Sequence, residues 1–196
     1  MLNEPILFRR LLEKIARATA VYLRAQIAAG ATAVQLFDTW AGELDSASYR
    51  EFEWSATQLL VSELATDVPV ILYAKNAGHL LDLLVTTGVN VLSVDWRQDL
   101  SALRERYGRR VALQGNVDPC TLFGPPEVIA RAAREAVRQT RGVGHILNLG
   151  HGILPETPVE NALEFVRAGQ SAPVAAEAQA QLLEEMPVAV RQSPLP

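Results

Sequence analysis

Short apolar segments alternate along this chain with longer segments in which apolar residues recur every three or four positions. The short segments are continuous runs, which is typical of parallel strands covered on both faces. They predict five strands, at residues 33–37, 68–73, 89–94, 111–113 and 145–149. The helical spacing predicts one helix before the first strand, capped by Asn3 and ended by Gly30. It also predicts a helix after each strand, beginning near Ser46 or Ser48 and then spanning 79–86, 100–107, 126–140 and 158–168.

The order of these elements predicts an α/β fold. Strand starts lie roughly 20–35 residues apart, which is the length of a βαβ unit. The pattern suits a (β/α) barrel or an open doubly wound sheet. No strand is followed by a Gly-x-Gly-x-x-Gly turn and no Walker motif occurs, so the sequence does not support a nucleotide-binding unit. The domain is expected over residues 1–170, with a proline-rich tail at 171–196.

The composition excludes several classes of protein. With 196 residues, 49% of them hydrophobic, the chain has the composition of a globular protein without a membrane segment. The net charge of −4 argues against general nucleic-acid binding. One cysteine, Cys120, and the lack of a signal-peptide pattern predict a cytoplasmic location.

Polar residues and glycines gather where each predicted strand ends. These segments are residues 37–42, 75–79, 95–97, 114–119 and 148–152. In a (β/α) barrel and in an open α/β sheet alike, the carboxyl ends of the strands carry the active site. The sequence therefore predicts a single site built from five loops.

Several of these polar residues also have purely structural interpretations. Asp118 before Pro119 and the nearby Asn116 fit a turn, and Asp95 could form an ion pair with Arg97 or Lys75. His79 is expected to start a helix, and His145, inside a predicted strand, to be structural. His151 differs, because it lies between two glycines directly after an apolar strand, where packing needs no imidazole. Thr39 could either bind its own loop or a ligand.

The sequence does not indicate a zinc site or a serine nucleophile. Zinc needs three or four ligands, and one cysteine with three scattered histidines does not provide them, so we expect no metal. A Gly-x-Ser-x-Gly nucleophile is absent. What remains is a pocket suited to binding an anionic substrate without a cofactor.

The strand-end segments resemble those of the uroporphyrinogen decarboxylase family. The resemblance rests on four motifs in register, Gln-Leu-Phe-Asp-Thr-Trp-Ala-Gly at 35–42, Val-Asp-Trp at 94–96, Leu-Gln-Gly-Asn-Val-Asp-Pro at 113–119 and Asn-Leu-Gly-His-Gly at 148–152. The following Ile-Leu-Pro-Glu-Thr-Pro at 153–158 is also similar to bacterial members. Order and spacing agree over about residues 5–169.

The resemblance implies a (β/α)₈ TIM-barrel type of fold, here an incomplete barrel with the last five βα units. It implies conversion of uroporphyrinogen III to coproporphyrinogen III by removal of four acetate carboxyl groups, without metal or organic cofactor. It implies that Thr39 hydrogen-bonds a substrate carboxylate, and that His151 binds a propionate or assists proton transfer as the catalytic histidine.

The resemblance also implies that groups are missing. The family's arginine-rich opening motif, its central aspartate and a site tyrosine belong to an N-terminal half that this sequence lacks. We therefore expect the isolated chain to be nearly inactive. The exposed edges of an incomplete barrel favour association, either as a homodimer or with the missing half.

Other functions stay open at this point. One is a corrinoid- or thiol-dependent methyltransferase of the same superfamily, and another is a non-catalytic tetrapyrrole-binding module. A non-functional remnant of an enzyme is a further alternative.

Overall fold

The computed structural model describes residues 1–64 and 68–174, and it contains the five predicted strands. They are β1 (Val34–Phe37), β2 (Val70–Tyr73), β3 (Val91–Ser93), β4 (Ala112–Val117) and β5 (His145–Leu149). All neighbouring strands are parallel, in the order β1-β2-β3-β4-β5. Because sequential strands are spatial neighbours, the sheet has the order of consecutive βα units in a barrel.

Helices separate the strands as the sequence predicts. They are α1 (Pro5–Ala28), α2 (Ser46–Ser48), α3 (Trp54–Leu64), α4 (Leu81–Leu84), α5 (Leu100–Tyr107), α6 (Pro126–Thr140) and α7 (Val159–Gln170). Short 3₁₀ helices precede α2, α4 and α6, at Ala41–Glu43, Gly78–Leu80 and Pro119–Phe123. A π-helical segment at Tyr49–Glu53 joins α2 to α3. The α/β fold class is thus confirmed.

The start of α1 differs from the prediction. Its N-cap residue is Glu4, not Asn3, and no side chain caps the helix. Pro5 occupies the first helical position, where its fixed φ favours the helix and where a backbone N–H would have no partner. A side-chain cap is therefore not required to begin this helix.

The face of α1 that carries regularly spaced apolar residues is not its buried face. Leu7, Leu11 and Ile15 are exposed, whereas Ala16 and Ala20 are buried where α1 packs on α3. Small residues on the buried face allow the two helices to approach closely. The helical period is correctly predicted, and an apolar surface of α1 is left exposed.

The two faces of the sheet have different surroundings. Apolar residues at alternate strand positions lie in one continuous core together with residues of the helices, among them Leu36, Leu72, Leu92, Leu113 and Ile129. Burying a side chain of this size contributes about 1.5–3 kcal/mol. The intervening positions point to the other face, where β1 and β5 place the polar Gln35 and Asn148.

Strand β4 is longer than predicted. It runs to Val117 and pairs with β5 through that residue, so Gln114 and Asn116 are strand residues and not loop residues. The predicted tail at 171–196 lies outside the described residues from position 175 onward.

Candidate functional site

The carboxyl ends of the strands border a cavity of about 390 Å³ on the face of the sheet away from the helices. Its lining residues come from β1, β2, β3, β5 and the loops after β1 and β5, namely Gln35, Phe37, Thr39, Tyr73, Ser93, Asn148, Leu149, His151, Gly152 and Ile153. Thr39 and His151, the two site residues predicted from the sequence, line this same cavity although 112 positions separate them. The structure therefore has a cavity at the carboxyl ends of the strands, where the sequence predicts a site.

Thr39 is held in place by the backbone that follows β1. The Asp38 N–H donates to the carbonyl of Tyr73 at 2.8 Å, which continues the β1–β2 pairing by one residue. The Ala41 N–H donates to the Asp38 carbonyl at 3.2 Å and closes the turn. Among the hydrogen bonds of residues 1–64 and 68–174, none involves the Thr39 hydroxyl, so this group can both donate to and accept from a ligand.

His151 lies on an exposed turn whose orientation is set by its neighbours. Its Nδ1 accepts a hydrogen bond from the Gly152 N–H at 2.7 Å, which places the ring proton of the neutral imidazole on Nε2. The preceding residue, Gly150, donates its N–H to the Val117 carbonyl at 2.7 Å. His151 therefore presents an Nε2–H donor from a turn attached to β4.

Tyr73, the last residue of β2, supports the same turn from the other side. Its hydroxyl donates to the Gly150 carbonyl at 3.0 Å, and its ring meets the His151 imidazole edge to face, with centroids 5.9 Å apart. Burial and, secondarily, the negative charge of Asp95 raise the pKa of Tyr73 to about 12. The phenol therefore keeps its proton, and its role as donor, throughout the neutral pH range.

The sequence interpretation misses Tyr73, since the segment that it considers after the second strand begins at residue 75. A signal was available in the alternation of β2, because a tyrosine at the last strand position, two residues after Ile71, falls on the site face. Its partner Gly150, 77 positions away, is not visible in any local pattern.

Polar side chains form a layer below the cavity. The Gln114 amide nitrogen donates to Ser93 Oγ at 3.0 Å and to Gln35 Oε1 at 3.2 Å, which links β4, β3 and β1 across the sheet. Ser93 and Gln114 are buried, and their mutual hydrogen bond satisfies groups that would otherwise be costly to bury. This layer gives the cavity a rigid polar floor.

The rim of the cavity is aromatic. Phe37, which lines the cavity, is 72% exposed although it is a large apolar residue. The Phe37 ring lies 6.0 Å from the ring of Tyr73, so the two form one wall. Exposed aromatic surface next to hydrogen-bond donors suits a ligand with flat apolar rings and polar substituents.

The polar residues Asp95, after β3, and Asn116, within β4, form hydrogen bonds that hold the loop after β3. Asp95 is 1% exposed and accepts hydrogen bonds from the Asn76 N–H, from the Arg97 N–H at 2.9 Å and from Arg97 Nη1 at 3.2 Å. The Asn116 amide donates to the carbonyls of Asp95 and Gln98 at 2.9 and 2.7 Å. Of the two ion pairs considered for Asp95, the one with Arg97 is formed. The contacts of Asp95 agree with its structural interpretation, whereas Asn116, expected in the turn with Asp118, is a strand residue that instead holds the loop after β3.

Asp118 and the other two histidines also lie in structural settings. Asp118 accepts from the Cys120 N–H at 2.9 Å and caps a 3₁₀ turn. His79 Nε2 donates to the Leu44 carbonyl, and His145 Nε2 to the Gly115 carbonyl, both at 2.7 Å. Burial lowers the pKa of His145, partly offset by that hydrogen bond. His151 is therefore the histidine of the cavity.

The donor set indicates what the cavity could bind. Its lining, as far as the described residues form it, offers hydrogen-bond donors from Thr39 and His151 and contains no carboxylate. Such a set can hold a carboxylate of a ligand by hydrogen bonds. In the described ranges, no group of three or more His, Cys, Asp or Glu side chains is placed to hold a metal ion. None of the helices described has the length and apolar character needed to cross a membrane.

Comparisons with known proteins show the family to which the chain is similar. A family model described as "Uroporphyrinogen decarboxylase (URO-D)" matches residues 1–172. A uroporphyrinogen decarboxylase from Cellvibrio japonicus is 46% identical over 172 residues, which are 85% of this chain and 48% of that protein. A chloroplastic uroporphyrinogen decarboxylase from Zea mays is 45% identical over 166 residues, covering 83% of this chain and 42% of that protein.

Solved structures show the same architecture. A methyltransferase from Methanosarcina mazei superposes with a TM-score of 0.75 at 28% identity, over 86% of this chain and 52% of that one. The chain thus spans about half the length of the curated relatives and of the solved structure that it matches.

Proposed function

Since the chain belongs to the uroporphyrinogen decarboxylase family, we propose that it contributes the carboxylate-binding part of a uroporphyrinogen decarboxylase site. The observation that carries this proposal is that Thr39 and His151 line one cavity at the carboxyl ends of the strands. The substrate would be uroporphyrinogen III, and the product coproporphyrinogen III.

The chemistry requires three things of a protein. A pyrrole carbon is protonated, and the cationic ring then accepts the electron pair of the C–C bond when carbon dioxide leaves the acetate side chain. A second proton adds to the remaining methylene carbon, which becomes a methyl group, and the ring loses its extra proton. The protein must hold the substrate's carboxylates, deliver protons and stabilise the ring cation.

The described residues support the first two requirements. The Thr39 hydroxyl and His151 Nε2–H are hydrogen-bond donors for side-chain carboxylates, and an imidazole can also move a proton near neutral pH. Phe37 offers apolar surface to the pyrrole rings. We assign His151 as the catalytic histidine and Thr39 as a substrate-binding residue.

The third requirement is not supported within the described residues. Ring-cation stabilisation needs a carboxylate in the cavity, and Asp95, at the end of β3, is instead engaged by its own loop. Residues 1–64 and 68–174 therefore supply half of the required site, and we propose that they act together with the other half of the family domain. A cytoplasmic location and a homodimer, as the sequence and the resemblance imply, are part of the same proposal.

A porphyrin assay tests this function. The chain is incubated with uroporphyrinogen III, alone and with the part of the Cellvibrio japonicus relative that the chain does not match, and the oxidised porphyrins are separated by chromatography. We expect coproporphyrin only in the mixture, and its loss when the chain carries His151→Gln. The matched control is Glu105→Gln, a change on an exposed residue of α5.

Two results would refute the proposal. One is coproporphyrin formation that does not change with His151→Gln. The other is the absence of any product in a mixture whose two parts form a stable complex. Binding of coproporphyrin without turnover in such a complex would favour the tetrapyrrole-binding module. The methyltransferase alternative has the solved structure in its favour, but at 28% identity against 46% for the decarboxylase.

A further inference from the structure

A groove of about 670 Å³ lies at the end of the sheet opposite the candidate site, where β3, β4 and β5 begin. Its lining includes the residues directly before β4 and β5, which are Val111 and Gly144. Arg104, Arg109 and Arg110 also line it, and we call it the basic groove. The described linings of the basic groove and of the candidate site have no residue in common.

A tight turn brings the three arginines together. Helix α5 ends at Tyr107, and the N–H groups of Arg110 and Val111 both donate to the Tyr107 carbonyl, at 2.7 and 3.1 Å. The chain therefore turns back directly into β4 and carries Arg109 and Arg110 beside the last turn of α5, where Arg104 lies.

The Arg104 guanidinium is held between two segments of backbone. Its Nη1 donates to the Gly108 carbonyl at 2.8 Å. A Cβ at Gly108 would lie 2.6 Å from this nitrogen, and a Cβ at Gly144 would lie 3.0 Å from it. The guanidinium therefore has room only because both positions are glycine. Since a guanidinium carries several N–H donors, most of them stay available to a ligand.

The arginines of the basic groove carry positive charge that is not compensated. In the described part of the chain, none of Arg104, Arg109 and Arg110 forms an ion pair of 4.0 Å or less, and no carboxylate lines the groove. Asp82 of α4 is already paired, since Arg106 Nη2 donates to both of its oxygens at 2.9 and 2.7 Å. Arg104 is half-buried, and a partly desolvated cation is unfavourable without an anion beside it.

The chemistry of the basic groove fits a phosphate group on a small organic molecule. Guanidinium groups bind phosphate through paired N–H donors, and the three terminal oxygens of a phosphate accept from several arginines at once. Val89, Val111 and Val143 give the groove apolar walls. Its volume of about 670 Å³ is more than one phosphate fills and lies within the roughly 300–1,000 Å³ of small-molecule sites.

We propose that the basic groove binds a small organic phosphate, with the phosphate group on Arg104, Arg109 and Arg110 and the apolar part against the valines. The site lies at the amino ends of the strands, so a ligand bound there leaves the cavity of His151 open. The proposal goes beyond the proposed function and does not depend on it, because its residues all belong to this chain.

Calorimetry with phenyl phosphate as the probe tests this site on the chain itself. Inorganic phosphate and benzoate are titrated at the same low ionic strength, since the first lacks the apolar ring and the second replaces phosphate by a carboxylate. We expect one molecule of phenyl phosphate to bind, about fivefold or more tightly than either of the other two, because only phenyl phosphate uses both the arginines and the apolar walls.

Two double variants with equal loss of charge show where the probe binds. Arg109→Gln/Arg110→Gln should weaken the binding of phenyl phosphate about tenfold or more. The matched control, Arg131→Gln/Arg134→Gln, removes two charges from exposed positions of α6 outside the groove and should change the affinity less than about twofold. Arg104→Gln should also weaken binding about tenfold, and urea unfolding shows whether each variant keeps its fold.

Four results would overturn the proposal. The first is no binding of phenyl phosphate at millimolar concentration, and the second is equal weakening by the two double variants, which would indicate only general attraction of anions. Benzoate that binds as tightly as phenyl phosphate would assign the groove to carboxylates. Inorganic phosphate that binds as tightly would indicate an adventitious ion only. A failure to form coproporphyrin in the decarboxylase assay would contradict the proposed function and leave this proposal unchanged.

Discussion

The hydroxyl of Tyr73 donates a hydrogen bond to the backbone carbonyl of Gly150 at 3.0 Å. The two residues lie on β2 and just after β5, strands that are not neighbours in the sheet. The contact therefore crosses the mouth of the cavity and fixes the turn that presents His151. Tyr73 is a positioning residue, since its ring touches the imidazole while its hydroxyl holds the backbone next to it.

We predict that Tyr73→Phe lowers the free energy of unfolding by about 1–2 kcal/mol, because the Gly150 carbonyl loses its donor. It should also weaken the binding of coproporphyrin III severalfold, measured by fluorescence quenching, since the His151 turn becomes less ordered. Tyr107→Phe is the matched control, because that hydroxyl donates to Asp82 Oδ1 at 2.7 Å, on α4 and outside the cavity lining. The free energy of unfolding of both variants is measured in urea. An equal loss of porphyrin affinity in Tyr73→Phe and Tyr107→Phe would show that Tyr73 has no specific role in the site.

Most of the fold is predictable from local pattern. Parallel strands buried on both faces need continuous apolar segments, and these segments locate all five strands. Helix α5 is found at its observed bounds, Leu100–Tyr107, because Asp99 caps its first turn by accepting from Ser101 and Ala102. The apolar pattern does not predict where β4 ends. Gln114 is polar and follows an apolar run, but its backbone still pairs with β3 as part of β4.

The candidate site is only partly predictable. Thr39 and His151 can be identified because glycines and polar residues follow the strand ends. Tyr73 cannot, because its role depends on a partner 77 positions away. The buried face of α1 is not predictable either, since the apolar spacing of Leu7, Leu11 and Ile15 looks the same on a buried face as on an exposed one.

Substitution by alanine should affect stability very differently at the two glycines beside His151. A Cβ at Gly150 would lie 2.5 Å from the Trp96 backbone nitrogen and 3.0 Å from Asp95 Cα, where only backbone movement could relieve the clash. A Cβ at Gly152 would meet nothing within 4 Å. We predict that Gly150→Ala costs about 1–3 kcal/mol of unfolding free energy and that Gly152→Ala changes it by less than about 0.5 kcal/mol. Urea unfolding monitored by circular dichroism measures both, and comparable losses would show that the close approach at Gly150 is not needed.

Thr39 and His151 should affect ligand binding and not folding. We predict that Thr39→Val and His151→Gln each reduce the affinity for coproporphyrin III about tenfold, the loss of one hydrogen bond to a charged group. Both side chains line the open cavity, so the free energy of unfolding should stay within about 0.5 kcal/mol. If the two residues hold different carboxylates, the losses add in the double variant. Unchanged affinity in all three variants would exclude this cavity as the porphyrin site.

His145 should make the fold sensitive to mild acid. Burial lowers its pKa in the folded chain, while the hydrogen bond to the Gly115 carbonyl offsets part of that effect. An unfolded histidine takes up its proton near pH ~6.5, so below that pH the unfolded chain binds more protons than the folded chain. Stability therefore falls as the pH falls through this range, by at most about 1.4 kcal/mol per pH unit from this one group.

The variant His145→Gln isolates this contribution, because the amide can still donate to the Gly115 carbonyl but does not titrate. Its free energy of unfolding, measured in urea between pH 7.5 and 5.5, should depend less steeply on pH than that of the unmodified chain. Carboxylates elsewhere affect both proteins alike and cancel in the difference. Parallel curves over this range would mean that His145 binds its proton equally well in the folded and unfolded states, and that its burial has no consequence for stability in acid.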